Sequence, residues 1–363
     1  MPRPLRAAAV AVLLGVAPAT ASSPPAYAER AAALLAGHVR DQGFSGSVLV
    51  AYEGRPIFRD SFGLANREWQ IPNAADTRFR IASLSKQFTA AAILLLAERG
   101  LLSLDDPLSR HDDTVPAAWR AVTIRHLLSM RSGIPSYTSL PGFFGNPSRL
   151  DRSPAEVVDL VRDAPLLFPP GSAHDYSNTN YLLLGALIEK LGGQPYGAFL
   201  HDNIFVPLGM ADTGYDDGSV LIARRASGYR NTAGQWTNAA YISMTAVQAA
   251  GGLYSTPADL LRWERALAAG KLLRPDSLAQ MFRDHGQSYG LGWVVRAGSP
   301  GPVQAHSGDI PGYAAMICRY PADGLAIIVL SNLEGAPALG IAGELAGLYF
   351  AGRGQQRPAC LNP

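Results

Sequence analysis

Short stretches rich in apolar residues and bounded by polar or turn residues occur near both ends of the chain and predict β-strands. The first stretch covers residues 47–52, and a turn at 53–55 leads into a second stretch at 57–61, so a hairpin is expected. Strand patterns return late in the chain, at residues 292–296, 303–306, 313–320 and 325–330. Strands are therefore predicted at the beginning and at the end of the chain.

The middle of the chain, from residue 81 to about 223, has helical spacing instead, interrupted by loops rich in proline and glycine. Strand patterns are nearly absent there. The predicted helices of this part cover residues 123–130, 154–162, 180–191 and 196–204. Further helices are predicted at residues 29–42, 257–269 and 336–350.

These patterns predict an α/β fold with one five-stranded antiparallel sheet flanked by helices. Two strands from the start and three from the end can share a sheet only if the helical middle is an insertion. We therefore expect an α/β region formed by residues 29–80 and 225–352, and a mostly helical region formed by residues 81–224. Ligand sites favour boundaries between packed units, so their junction is the expected cleft.

The first 21 residues are typical of an export signal. Arg3 and Arg6 precede an apolar stretch at 7–17, and a small-residue cleavage site ends at Ala21. A second such site ends at Ala28, so cleavage after either residue stays open. The apolar stretch is shorter than the roughly 20 residues of a membrane-spanning helix. We expect a periplasmic or secreted protein without a transmembrane anchor.

Charge and cysteine content exclude several kinds of partner. The chain has 31 basic and 29 acidic residues, and loss of Arg3 and Arg6 with the signal would balance them. A protein without net positive charge binds nucleic acid poorly, so no nucleic-acid partner is expected. No Cys/His spacing typical of zinc appears, and no metal or cofactor is predicted. Cys318 and Cys360 are the only cysteines; their pairing stays open, because it depends on geometry.

A rare lysine marks the first candidate motif, in the stretch "RIASLSKQF". The chain has three lysines, at positions 86, 190 and 271, whereas its other 28 basic residues are arginines. A desolvated lysine can lose its proton, which arginine cannot. Ser83 precedes Lys86 by three residues at a helix start, so both side chains lie on one face. The alternative is a capping serine beside a solvated lysine.

Two further motifs carry polar groups. Tyr176-Ser177-Asn178 ends a loop before an apolar helix, where Tyr176 is either a packing residue or a proton carrier whose pKa Lys86 would lower. His306-Ser307-Gly308 ends a predicted strand. Gly308 would let a substrate lie close to the backbone, and the N–H of Asp309 would then be an oxyanion donor. His306 alone is typical of a strand edge.

In the order Ser-x-x-Lys, Tyr-x-Asn, His-Ser-Gly, the three motifs resemble those of the serine β-lactamase and penicillin-binding superfamily. The Tyr-Ser-Asn form and the histidine are similar to the branch of class C β-lactamases and D-alanyl-D-alanine carboxypeptidases, peptidase family S12. The stretches "TIRHLLSMRSGIPSY", "GGLYSTPADLLRW", "YGLGW" and "HSGDIPGY" extend the resemblance over residues 44–332. Class C enzymes carry Lys-Thr-Gly at the third motif, so here a titratable histidine replaces a fixed charge.

The resemblance implies a secreted serine hydrolase that forms an acyl-enzyme with D-amino-acid peptides, β-lactams or esters. Among the activities of this branch, the resemblance favours that of a D-Ala-D-Ala carboxypeptidase, with a small-molecule or peptidoglycan-derived substrate. The alternatives are an esterase or β-lactamase of the same family, or a cell-wall-binding homologue without catalysis. The implied catalytic residues are Ser83, Lys86 and Tyr176. Ser85 is a rival nucleophile by position, but it is adjacent to Lys86 in the sequence, so the two side chains should point to different parts of the helix surface. The implied substrate-binding residues are Asn178, His306, Ser307, Gly308 and Asp309.

Overall fold

The structure is a computed structural model that describes residues 24–360. Its helices are α1 Pro24–Gln42, α2 Ser85–Glu98, α3 Ile124–Leu128, α4 Pro154–Asp159, α5 Asn178–Gly192, α6 Tyr196–Leu200, α7 Val206–Leu208, α8 Gln248–Gly251, α9 Pro257–Ala268, α10 Pro275–Met281 and α11 Ala338–Ala351. Its strands are β1 Gly46–Tyr52, β2 Arg55–Phe62, β3 Leu64–Asn66, β4 Ile71–Pro72, β5 Phe79–Arg80, β6 Gly214–Tyr215, β7 Tyr229–Thr232, β8 Gln235–Asn238, β9 Leu253–Ser255, β10 Val294–Arg296, β11 Val303–Ile310, β12 Tyr313–Tyr320 and β13 Leu325–Ser331.

The main sheet is antiparallel and joins the two ends of the chain in the order β10-β11-β12-β13-β1-β2. The two ends of the chain meet where β13 pairs with β1, with Val48 opposite Val329. The predicted α/β class is confirmed, but within residues 24–360 this sheet has six strands rather than five. The sixth strand is β10, which the pattern at residues 292–296 predicts as a strand but which the count of five leaves out of the sheet. It pairs with β11 through only three residues. Gly292, at a φ of 74°, interrupts the extended backbone just before it.

Both faces of the sheet are buried, which follows from apolar residues at successive strand positions. In β1, Val48 and Val50 belong to one core and Leu49 to the other. Helices α1 and α11 cover the Val48 face. Tyr27 of α1 packs edge-on against Tyr349 there, and its hydroxyl donates to the carbonyl of Leu345.

The opposite face of the sheet carries the helical region, whose central helix is α2. Its residues from Ser85 to Leu96 are all buried, as expected of a helix without a polar face. Helices α5 and α8 contact α2. Thr123 and Ser153 form capping boxes at the first residues of α3 and α4, so these helices begin close to where the sequence predicts.

The remaining expectations concern the chain ends. Cys318 and Cys360 form a disulfide that ties the C-terminal segment to β12. The predicted export signal lies outside the described residues, apart from the second cleavage site at Ala28, which lies inside α1. Among the helices of residues 24–360, none is both long and apolar enough to cross a bilayer. The division of the chain into an α/β region and a helical region at residues 81–224 stays a prediction.

Candidate active site

Ser83 lies in a short 3-10 turn, Ala82–Leu84, between β5 and α2. Ala82 has a φ of 47°, a left-handed conformation that is uncommon for alanine and bends the backbone just before Ser83. Strand β11 passes directly beside this turn. A Cβ on Gly308 would lie 2.5 Å from the carbonyl oxygen of Ile81 and 3.0 Å from the backbone nitrogen of Ser83. Glycine at 308 therefore allows the strand to reach Ser83.

Lys86 is fully buried, and within the described chain its Nζ lies at hydrogen-bond distance from three oxygens. These are Oγ of Ser83 at 3.0 Å, Oδ1 of Asn178 at 2.8 Å and the carbonyl oxygen of Ala250 at 2.7 Å. The Asn178 and Ala250 oxygens can only accept hydrogen bonds. A neutral amine has two N–H groups for them and one lone pair, which is then left for the hydroxyl of Ser83.

The surroundings of Lys86 favour this neutral form. Burial lowers the pKa of Lys86 well below its ordinary value of 10.5. Asn178 is itself held in place, because its Nδ2 donates to Thr138 at 3.0 Å and its backbone N–H donates to Ser136 at 3.0 Å. The amide oxygen of Asn178 is therefore directed at the lysine, whose amine lies beside the hydroxyl of Ser83.

Tyr176 lies close to the amine of Lys86. Its side chain is 37% exposed, but its ring centroid lies 4.9 Å from Nζ of Lys86. The expectation that Lys86 lowers the pKa of Tyr176 is wrong: desolvation of the phenol raises this pKa, although a hydrogen bond with Ser83 acts in the opposite direction. The hydroxyl of Tyr176 is therefore protonated at neutral pH and suited to donate.

His306 is buried and takes no part in the cleft surface. Its Nδ1 lies 2.5 Å from the carbonyl oxygen of Ser307, and its Nε2 lies 3.1 Å from the hydroxyl of Tyr289. A carbonyl only accepts, so Nδ1 carries the proton and Nε2 accepts from Tyr289. Burial and the nearby Lys86 lower the pKa of His306 to about 4. The histidine is thus uncharged at neutral pH and does not replace a fixed positive charge.

The cleft beside Ser83 holds about 40 Å³ of free space, room for only a few atoms, so a substrate must also lie along its open side. Asn178 and Asp309 line this cleft, whereas His306 and Ser307 do not. Its walls are mostly apolar. They include Tyr137, Phe144, Ile242, Val247 and Ile310.

Ser85, the rival nucleophile, faces away from this cleft. Its side chain is fully buried, and its hydroxyl accepts the backbone N–H of Leu253 at 3.1 Å. This contact links α2 to β9. Ser85 therefore has a structural contact, whereas the hydroxyl of Ser83 is the one that meets the amine.

Two site groups were missed by the sequence reasoning. Tyr289 lies in the quoted "YGLGW" stretch, which could have identified it, and its ring stacks edge-on with Tyr176 at 6.3 Å and with His306 at 6.1 Å. The carbonyl of Ala250 left no signal, because any residue type supplies a carbonyl. Both groups hold the polar side chains in place.

The Beta-lactamase family matches residues 31–348 of this chain. The chain belongs to this family. The membership confirms the superfamily that the three motifs predict.

Two family relatives are curated proteins. Penicillin-binding protein 4* of Bacillus subtilis (strain 168) is 34% identical over 314 residues, covering 80% of this chain and 68% of that protein. Esterase EstB of Burkholderia gladioli is 30% identical over 350 residues, covering 81% of this chain and 87% of that protein.

A solved structure extends the Beta-lactamase family comparison to amide hydrolysis. The D-amino acid amidase of Ochrobactrum anthropi SV3, complexed with D-phenylalanine, has a TM-score of 0.78 to this chain at 26% identity. The match covers 90% of this chain and 98% of that one. The family relatives therefore include hydrolases of esters and amides as well as penicillin-binding proteins.

We expect Tyr289→Phe to lower kcat/KM about tenfold, the loss of one hydrogen bond of about 1.4 kcal/mol. Without the Tyr289 hydroxyl, Nε2 of His306 is free to bind a proton, so the acid limb of the pH profile should move to higher pH. Rates measured from pH 4 to 8 check this. Tyr320→Phe is the matched control, because Tyr320 is also buried and hydrogen-bonded but packs on the opposite face of the sheet. An unmoved acid limb contradicts the assignment.

Proposed function

We propose that this chain is a serine hydrolase that cleaves esters and D-amino-acid peptides or amides through an acyl-enzyme at Ser83. The observation that carries the proposal is the position of Lys86 Nζ, which lies 3.0 Å from Oγ of Ser83 and within hydrogen-bond distance of two oxygens that can only accept, those of Asn178 and Ala250. A lysine whose pKa is lowered by burial is a suitable base at neutral pH. Cell-wall binding without catalysis would not need this arrangement.

In the first half-reaction, Oγ of Ser83 forms a bond to the substrate carbonyl carbon while its proton moves to Nζ of Lys86. The N–H groups of Ser83 and Asp309 are proposed to stabilise the oxyanion, each contributing about 3 to 4 kcal/mol. Tyr176 gives its phenolic proton to the leaving group and is reprotonated from Lys86. The bond to the leaving group breaks, and an ester of Ser83 remains.

In the second half-reaction, water replaces the leaving group. Its proton moves to the Tyr176 and Lys86 pair as its oxygen attacks the Ser83 ester, and Ser83 recovers a proton when the acid departs. The same groups thus work in both directions, and each proton transfer contributes roughly 10² to 10⁴ in rate. Asn178 keeps the amine in place throughout.

Two substrate classes fit this chemistry. D-Ala-D-Ala peptides of the cell wall are the class that the motifs favour, and the relative named penicillin-binding protein 4* supports it. Neutral esters and amides are favoured by the cleft itself, whose apolar walls suit an uncharged acyl group. The relatives described as an esterase and a D-amino acid amidase support this second class.

We also propose that the enzyme acts outside the cytoplasm, in the periplasm or as a secreted protein. The disulfide between Cys318 and Cys360 supports this location, because such bonds persist in oxidising compartments. Cleavage after Ala21 would keep Tyr27, whose hydroxyl donates to Leu345, whereas cleavage after Ala28 would remove it.

Trapping of the acyl-enzyme tests the proposed function. The protein is incubated separately with a penicillin, a p-nitrophenyl ester and a D-Ala-D-Ala peptide, quenched in acid and analysed by intact-mass and peptide mass spectrometry. We expect the acyl mass on the peptide that contains Ser83, and the same label in a Ser85→Ala variant. Labelling of Ser85 or of no residue with any of the three compounds would contradict the proposal.

A further inference from the structure

We propose that Asp309 makes this site select substrates whose leaving group carries no carboxylate, so that neutral or cationic amides and esters are preferred over peptides with a free C-terminus. The inference rests on the proposed function and names the substrate class of the same cleft. It concerns the side chain of Asp309, whereas catalysis uses its backbone N–H.

The position of Asp309 is fixed by β11. The residue directly follows Gly308, which packs against the Ser83 turn, and it is paired with Ala314 of β12. Asp309 and Ser83 line the same cleft. Any substrate whose carbonyl reaches Ser83 must therefore pass close to this carboxylate.

Within residues 24–360, Asp309 forms no ion pair and its side chain forms no hydrogen bond. Its side chain is exposed toward the cleft opening, and partial burial raises its pKa. The buried Asp216 differs in this respect, because it accepts from Arg80 at 2.8 Å and from Arg225 at 2.7 Å. The charge of Asp309 is therefore directed at whatever enters the cleft.

The other titratable groups near Ser83 do not offset this charge. Burial favours the uncharged form of Lys86, and His306 is neutral because its pKa is about 4. The cleft lining includes no arginine within the described residues. Arg80, three residues before Ser83, is held by Asp216. In the described part of the chain, the cleft lining thus carries one unpaired negative charge and no positive charge that would attract a substrate carboxylate.

The expected size of the effect follows from Coulomb's law. Two like charges about 7 Å apart, in surroundings of intermediate dielectric, repel each other enough to change kcat/KM roughly tenfold. The repulsion is screened by salt because the cleft is open to solvent. Charge discrimination should therefore decrease at high ionic strength.

The test compares two substrates that differ only in this charge: N-acetyl-D-Ala-D-Ala and its C-terminal amide, at pH 8. We expect the wild-type protein to hydrolyse the amide about tenfold faster in kcat/KM, and Asp309→Asn to bring the ratio near one. Asp309→Glu should keep the preference. Asp163→Asn, which removes an exposed charge outside the cleft, is the matched control and should leave the ratio unchanged.

If the enzyme prefers esters, the same comparison is made with two phenyl esters, one neutral and one that carries a carboxylate on the phenyl group. Each enzymatic rate is divided by the rate of hydroxide-catalysed hydrolysis of the same ester, which removes the difference in intrinsic reactivity. A wild-type ratio near one, or a ratio that Asp309→Asn leaves unchanged, overturns the role of Asp309 while Ser83 acylation still supports the hydrolase. Absence of both turnover and acylation with every substrate overturns the proposed function, and with it the inference.

Discussion

Replacement of Ser83 by alanine is expected to lower kcat by about 10⁶-fold while leaving the fold unchanged, as for other activated serine nucleophiles. The large loss follows because, among residues 24–360, Ser83 carries the only hydroxyl within hydrogen-bond distance of the amine of Lys86. The fold should persist because Ser83 is only half-buried and no backbone group depends on its hydroxyl for a hydrogen bond. Steady-state kinetics on an ester and an amide, with circular dichroism melting curves, check both parts.

Ser85→Ala is the matched control and should show the opposite pattern. The Ser85 hydroxyl accepts the buried N–H of Leu253, so its removal should cost about 1 to 3 kcal/mol of unfolding free energy. Turnover of the folded protein should remain within about tenfold of the wild type, since this hydroxyl does not touch Lys86. If Ser83→Ala retained wild-type kcat, the nucleophile would have to be another residue.

The strands were predictable because most are short apolar runs bounded by turn residues, and the sheet that joins both chain ends follows from the helical insertion. The edge strand β10 is predictable as a strand at residues 292–296, but its place in the sheet is not, since it pairs with β11 through only three residues. The apolar runs do not tell which core each strand residue joins. Residues such as Val48 and Leu49 belong to different cores, and only the packing of α1 and α2 decides which.

The candidate site was predictable as a set of residues but not as a set of protonation states. Spacing places Ser83 and Lys86 on one helix face, yet the pKa of Tyr176 depends on how far its hydroxyl is desolvated. In the same way, His306 loses its charge because the fold encloses it and because Tyr289 donates to its Nε2. Such effects come from long-range contacts that no short motif contains.

Lys86→Met should lower kcat by about 10² to 10⁴-fold, the contribution of a general base. Its effect on stability combines two opposing changes, because the buried oxygens of Asn178 and Ala250 lose their hydrogen-bond donor while the amine no longer has to be buried. Methionine fills a similar volume but has no lone pair for the Ser83 proton. The wild-type protein must bury an amine that is charged in the unfolded chain at neutral pH, and the variant avoids that cost. Lys271→Met, which changes an exposed lysine, is the control for the loss of charge and should leave kcat unchanged.

The pH dependence of Lys86→Met gives a second readout. The pKa of Lys86 is lower in the folded protein than its ordinary 10.5, so between these two values the unfolded chain binds more protons. The stability of the wild type should therefore rise with pH across this window, and the variant should lose that slope. The unfolding free energy is measured by denaturant titration at several pH values. If it changed with pH equally in the wild type and the variant, Lys86 would not be a neutral base.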